Sequence, residues 1–102
     1  MKQPNYWLMK SEPDVFGLDD LVTRPNQTEP WNGVRNYQVR NWLRDRFEVG
    51  DLAFFYHSNT TIPAIVGIME VVSAGYPEPD QDKPTWFCVD VRYVRHLVRP
   101  IS

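Results

Sequence analysis

The chain has 102 residues, 42% of them apolar and 24% charged, with 11 basic against 13 acidic side chains and a net charge of -2. That length fits one domain with one modest core, no apolar run approaches the ~18 residues of a membrane-spanning helix, and the charge excludes a uniformly basic coat for duplex DNA. The lone Cys88 cannot pair within the chain and Met1-Lys2-Gln3-Pro4 has no leader-type apolar stretch, so an intracellular setting is expected, cytoplasmic or, in a eukaryote, nuclear.

Residues 5–10 read as a first strand, apolar without a helical period and stopped at Ser11-Glu12-Pro13-Asp14. Leu18 to Thr23 forms a short helix with Asp19 and Asp20 in its first turn. Arg24 to Asn32, with Pro25 and Pro30, is expected to be an exposed loop ending at Trp31. Gly33 makes a turn and Asn36 caps a helix running to about Phe47, in which Val39, Trp42, Leu43 and Phe47 form the buried stripe. Asn36, Arg40 and Arg44, four apart, form its polar face.

Leu52 to His57 is a strand whose alternation separates Leu52, Phe54 and Tyr56 from Ala53, Phe55 and His57. Ala64 to Val72 follows, with Gly67 marking a bulge, a bend or a close backbone approach. Gly75 to Pro84 is an acidic, proline-rich loop, and Trp86 to Val94 is the last clear strand. The expected fold is α+β, a curved antiparallel sheet or partial barrel with short helices against it. Three consecutive strands without crossover helices exclude a doubly wound parallel sheet.

Catalytic and cofactor signatures are missing. There is no phosphate-binding glycine loop, and one Cys with His57 and His96 cannot build a structural zinc site. No metal, cofactor or catalytic residue is therefore expected. What stands out is arginine, eight against three lysines, and aromatic residues at 14% with four tryptophans. Arg35, Arg40, Arg44 and Arg46 oppose only Asp45 in their segment, and Arg92, Arg95 and Arg99 form a second group. Arginine is the better fork for phosphate or carboxylate, and so many rings in a small chain leave some to be exposed for recognition.

Three segments, Tyr6-Trp7-Leu8-Met9-Lys10-Ser11-Glu12-Pro13, Trp31-Asn32-Gly33-Val34-Arg35-Asn36-Tyr37 and Gly50-Asp51-Leu52-Ala53-Phe54-Phe55-Tyr56-His57-Ser58, resemble the EVE domain family. Ile65 to Val72 followed by Tyr76-Pro77 fits the same pattern, so the resemblance runs along nearly all of residues 1–102. It implies a PUA-like fold, a small pseudo-barrel related to the YTH domains. It also implies a reader of modified bases, chiefly modified cytosines, in DNA or RNA. Family members continue past the last strand through a further helix and closing strands. A domain ending at Ser102 is thus expected to be C-terminally truncated, with an open barrel edge that a second copy of the chain would complete.

An unstacked base needs flat walls, polar groups for its edge and cations for the flanking phosphates. Trp31 is the candidate wall, with Gly33 allowing close backbone approach. Its other role is to anchor its loop on the core. Lys10 and Ser11, as residues, only end a strand; the resemblance makes them contacts to base or phosphate and to the base edge. Asn36 is a helix cap or a base-edge amide. Tyr56, His57 and Ser58 end a strand at the pocket mouth, and His57 is equally a structural histidine. Arg35, Arg40 and Arg44 are the phosphate candidates, against the simpler reading of a solvated face. Trp7, Trp42 and Trp86 are read as core before cage, Trp7 lying on a strand of which either face could line the pocket, and Cys88 fills the core. An interaction module for acidic ligands using the arginine helix, and a hydrolase of modified bases, remain as other readings.

Overall fold

A computed structural model describes residues 3–102; the two opening residues of the leader argument, Met1 and Lys2, lie outside them. The elements are β1 (Tyr6–Ser11), α1 (Pro13–Phe16), α2 (Leu18–Thr23), a 3-10 turn (Pro25–Gln27), β2 (Thr28–Trp31), α3 (Tyr37–Asp45), β3 (Leu52–His57), β4 (Ala64–Val71), β5 (Tyr76–Pro77) and β6 (Phe87–Ile101). The sheet runs β1-β3-β4-β6-β2, with β5 on β6. It is an open, mixed sheet with short helices, an α+β arrangement of PUA-like type. β1 and β2 are the free ends of its path.

Four expectations change. The β1–β3 pair is parallel, from Tyr6↔Leu52 to Ser11↔His57. Parallel neighbours need a long crossover, and the chain between Ser11 and Leu52, carrying α1, α2, β2 and α3, supplies it. The segment expected to be an exposed loop is a 3-10 turn followed by β2, whose Thr28 to Trp31 pair antiparallel with Arg92 to Val89. Pro30 has no N–H to donate, which an edge strand tolerates. Asn26 and Gln27, at φ 54° and 53°, make the reversal that admits the strand. β6 also runs past Val94 to Ile101, and the acidic loop contributes the two residues of β5.

α2 and α3 start where side chains meet free N–H groups. Asn36 Oδ1 accepts the Val39 N–H at 3.0 Å, which caps α3. Leu43 and Phe47 are buried, and Val39 and Trp42 pack against the core from the same stripe. At α2, Asp20 accepts the Gly17 N–H at 2.7 Å. Ala53 and Phe55 of β3 are 1% and 0% exposed, as the alternation requires. Burial of a side chain such as Phe55 contributes roughly 1.5–3 kcal/mol, and the methyl of Ala53 less. The β4–β6 register shifts between Ile65 and Gly67. A Cβ at Gly67 would lie 2.2 Å from Leu18 Cδ2, so the close approach at this glycine seats α2 on the sheet.

Trp7 stacks on Phe47 with centroids 4.0 Å apart, and its indole N–H donates to Asp51 at 2.9 Å. Asp51 is the buried polar residue among the described ones. It also accepts N–H groups from Asn5 and Glu48. Cys88 is fully buried, and burial pushes its thiol up. No helix among the described residues is long and apolar enough to cross a membrane.

Candidate nucleic-acid interface

The two free ends of the sheet border one cavity of about 460 Å³. β1 brings Lys10 and Ser11 to it; β2 and its continuation bring Glu29, Pro30, Trp31, Asn32, Gly33 and Val34; Val15, Phe16 and Arg24 complete the lining. Four of the candidate base contacts, Lys10, Ser11, Trp31 and Gly33, thus come together although twenty residues separate the two segments in sequence.

Trp31 is 9% exposed and belongs to the core as well as to the cavity wall. Its ring meets Phe55 edge to face at 5.2 Å and Phe16 at 6.3 Å. The expectation of a tryptophan on a loop is therefore corrected: it is a strand residue that serves the core and the wall together. Gly33, at φ +83° with open space where a side chain would sit, turns the chain within the lining. Ser11 Oγ donates its proton to the Phe16 carbonyl at 2.7 Å, so toward the cavity its oxygen is an acceptor. Lys10 sets its ammonium 5.6 Å above the Tyr56 ring, its partner across β1 and β3.

The other candidates lie outside the lining of this cavity. His57 Nε2 accepts the Leu18 N–H at 3.2 Å, supporting the start of α2. Burial holds this imidazole below its ordinary range; His96 acts in the same direction and Asp19 and Asp20 oppose it. Asn36 spends its amide oxygen on the helix cap. Tyr56 lies under Lys10, and the Ser58 N–H donates to the Ser11 carbonyl at 3.0 Å.

The arginines are engaged within the chain. Arg35 forks onto Glu78 with both contacts at 3.0 Å, and its guanidinium lies 4.8 Å over Trp86, whose ring also stacks on Tyr37. Trp86 is thus an aromatic support for the rim rather than interior filling. Arg40 donates to the Thr85 carbonyl and to Asn41, and Arg44 forks onto Asp45 with both contacts at 2.8 Å. The simple solvated arginine face becomes a set of internal partnerships: Glu78 and Thr85 arrive from the segment before β6, and Asp45 is the neighbour of Arg44 on α3.

Sequence reasoning missed Phe16, Arg24, Glu29 and Asn32. Arg24 and Glu29 form an ion pair at 3.3 Å inside the lining, and Arg24 lies 5.1 Å over Phe16. Reading Thr28-Glu29-Pro30-Trp31 as a strand would have put Glu29 on the face of Trp31. A second, more apolar cavity of about 440 Å³ lies between β1 and α3 and shares Lys10, Trp31 and Val34 with the first. Among the described residues no cluster of three or more His, Cys, Asp or Glu could hold a metal ion.

The EVE domain model matches residues 5–102. Thymocyte nuclear protein 1 of Mus musculus is 44% identical over 118 residues, an alignment taking in 93% of this chain and 52% of that protein. The Homo sapiens protein is 42% identical with the same shares. The chain therefore spans about half the length of the curated relatives it matches. Among solved structures, human THYN1 protein in complex with 5-methylcytosine containing DNA superposes with a TM-score of 0.86 at 43% identity, over 94% of this chain and 69% of that one. A hypothetical protein from Leishmania major gives 0.84 at 39% identity, over 96% and 69%.

Proposed function

The chain belongs to the EVE domain family, and from that premise we propose that it is a non-catalytic reader which binds a modified cytosine of DNA in the cavity between β1 and β2. The observation that carries this reading is the meeting of Lys10, Ser11, Trp31 and Gly33 on one cavity between the free ends of the sheet. A related protein, human THYN1, is seen in complex with 5-methylcytosine containing DNA, which supports the ligand class.

The chemistry follows from the lining. A base that has left its stack needs an apolar wall, and the exposed rim of Trp31 with Val34 offers one. Ser11 accepts from the base edge, and the backbone at Gly33 admits the sugar-phosphate closely. Lys10 is the cation of the rim for an adjacent phosphate. Stacking of this kind is worth roughly 1–3 kcal/mol per base, and modified-base selectivity rests on the base contacts alone, because the phosphate attraction is common to all sequences and cancels in the ratio.

An NMR titration of the ¹⁵N-labelled chain with a short oligonucleotide holding one 5-methylcytosine tests the location. Shift changes concentrated at Lys10, Ser11, the Trp31 indole N–H and Gly33 are expected. Changes confined to Arg40, Arg44 and the rest of α3 would favour an interaction module for acidic ligands and contradict the pocket.

A further inference from the structure

Glu29 precedes Trp31 by two residues on β2, so the pleat directs both side chains to the same face, and both line the cavity. A carboxylate is costly to keep in a half-buried site unless something holds it. Arg24 Nε does so, donating to Oε2 at 3.3 Å, while the Arg24 guanidinium rests over the Phe16 ring. One carboxylate oxygen is thereby fixed, and no other described group donates to the second, Oε1. Ser11, whose proton goes to Phe16, is a second acceptor in the same lining.

A wall with two acceptors selects for a ligand that brings N–H donors. The pyrimidines differ in this respect at one position. Cytosine and its 5-methyl derivative present an amino donor at C4, where thymine and uracil present a carbonyl acceptor. 5-Methylcytosine and thymine share the ring size and the methyl group, so apolar walls alone separate them poorly. A carboxylate facing a carbonyl leaves both oxygens unpaired and disfavours the wrong base.

We propose that Glu29, positioned by Arg24, is the specificity-determining residue of the cavity, accepting the exocyclic N4–H of a cytosine-type base. This rests on the base-reading function above and adds the group that separates 5-methylcytosine from thymine. Glu29 makes the hydrogen bond. Arg24 holds it in place against the Phe16 ring.

The test is a fluorescence-anisotropy titration of the full chain with single-stranded oligonucleotides differing at one base: cytosine, 5-methylcytosine, thymine or uracil. The native chain is expected to favour 5-methylcytosine over thymine by about tenfold to a hundredfold. E29Q, with an amide that both donates and accepts, is expected to bring that ratio within about threefold while its circular dichroism stays native. A native chain that binds 5-methylcytosine better than cytosine but accepts thymine equally well overturns the role of Glu29 and leaves the reader standing, whether or not E29Q folds. An unchanged ratio in folded E29Q does the same. A native chain indifferent to all four bases overturns both.

Discussion

Glu78 takes the Arg35 fork on both carboxylate oxygens and also accepts the Gly33 N–H at 2.9 Å, so one acidic side chain ties the rim of the cavity to the segment before β6. Hydrogen bonding to Arg35 holds the Glu78 carboxyl below its ordinary range, against burial. Arg35, which follows the lining residue Val34, therefore already has an anion. A nucleic-acid phosphate reaches it only by displacing Glu78.

Glu78→Gln weakens that internal competitor while keeping an acceptor for Gly33. It is expected to raise affinity for an unmodified oligonucleotide at low salt. The slope of log K against log salt should steepen by up to about 0.7 for a single strand, one additional phosphate contact. Arg35→Ala added to Glu78→Gln should cancel the gain. A salt slope that does not move in Glu78→Gln would show that Arg35 makes no phosphate contact.

His57 gives the fold a dependence on mild acid. Its folded-state pKa lies below the ordinary 6.5 because of burial, and its Nε2 is the acceptor for Leu18. The unfolded chain therefore takes up the proton first as pH falls below about 6.5, and the stability present above that value declines toward the lower folded-state pKa. Melting temperature should fall between pH 7 and pH 5 in the native chain. His57→Gln, whose amide oxygen can still accept the Leu18 N–H, should show a flatter profile over that interval. The carboxylates with lowered values, Asp45, Asp51 and Glu78, act at lower pH, through their own folded-state range. Identical profiles for the two chains would remove His57 from the account.

Asp51 is 2% exposed and gathers donors from Asn5, Trp7 and Glu48. Burial raises its pKa, but the hydrogen bonds from Trp7, Glu48 and Asn5 outweigh burial and leave it lowered. Asp51→Ala strands those donors around the start of β3. A loss of about 2–3 kcal/mol in denaturant unfolding is expected. A loss below 0.5 kcal/mol would mean that water replaces the carboxylate at little cost.

Local pattern made much of this structure legible. The alternation in Leu52 to His57 and the acids of Leu18 to Thr23 belong to the residues that form the elements, and both elements run as expected. β2 was hidden because four residues with a central proline carry no strand signal of their own. Their hydrogen bonds come from β6, some sixty residues later. Arg24 and Glu29 were hidden with it, since only the strand brings Glu29 to the face of Trp31. The role of His57 is likewise set by a partner, Leu18, that lies 39 residues away. Arg35 and Arg40 read as free because neither Glu78 nor the Thr85 carbonyl is near them in sequence, whereas the partner of Arg44 is its own neighbour, Asp45. Trp31 and Gly33 stand out as residues and Lys10 and Ser11 through the resemblance, and it is the fold that gathers them on one cavity.

Whether the cavity between β1 and β2 reads a modified cytosine, as proposed, is tested by titration of the full chain with two oligonucleotides identical except for cytosine or 5-methylcytosine at one position, at low and at raised salt. Tighter binding to the 5-methylcytosine strand is expected, with a preference that persists as salt rises and phosphate attraction fades. Equal binding to the two strands that disappears with salt would contradict it.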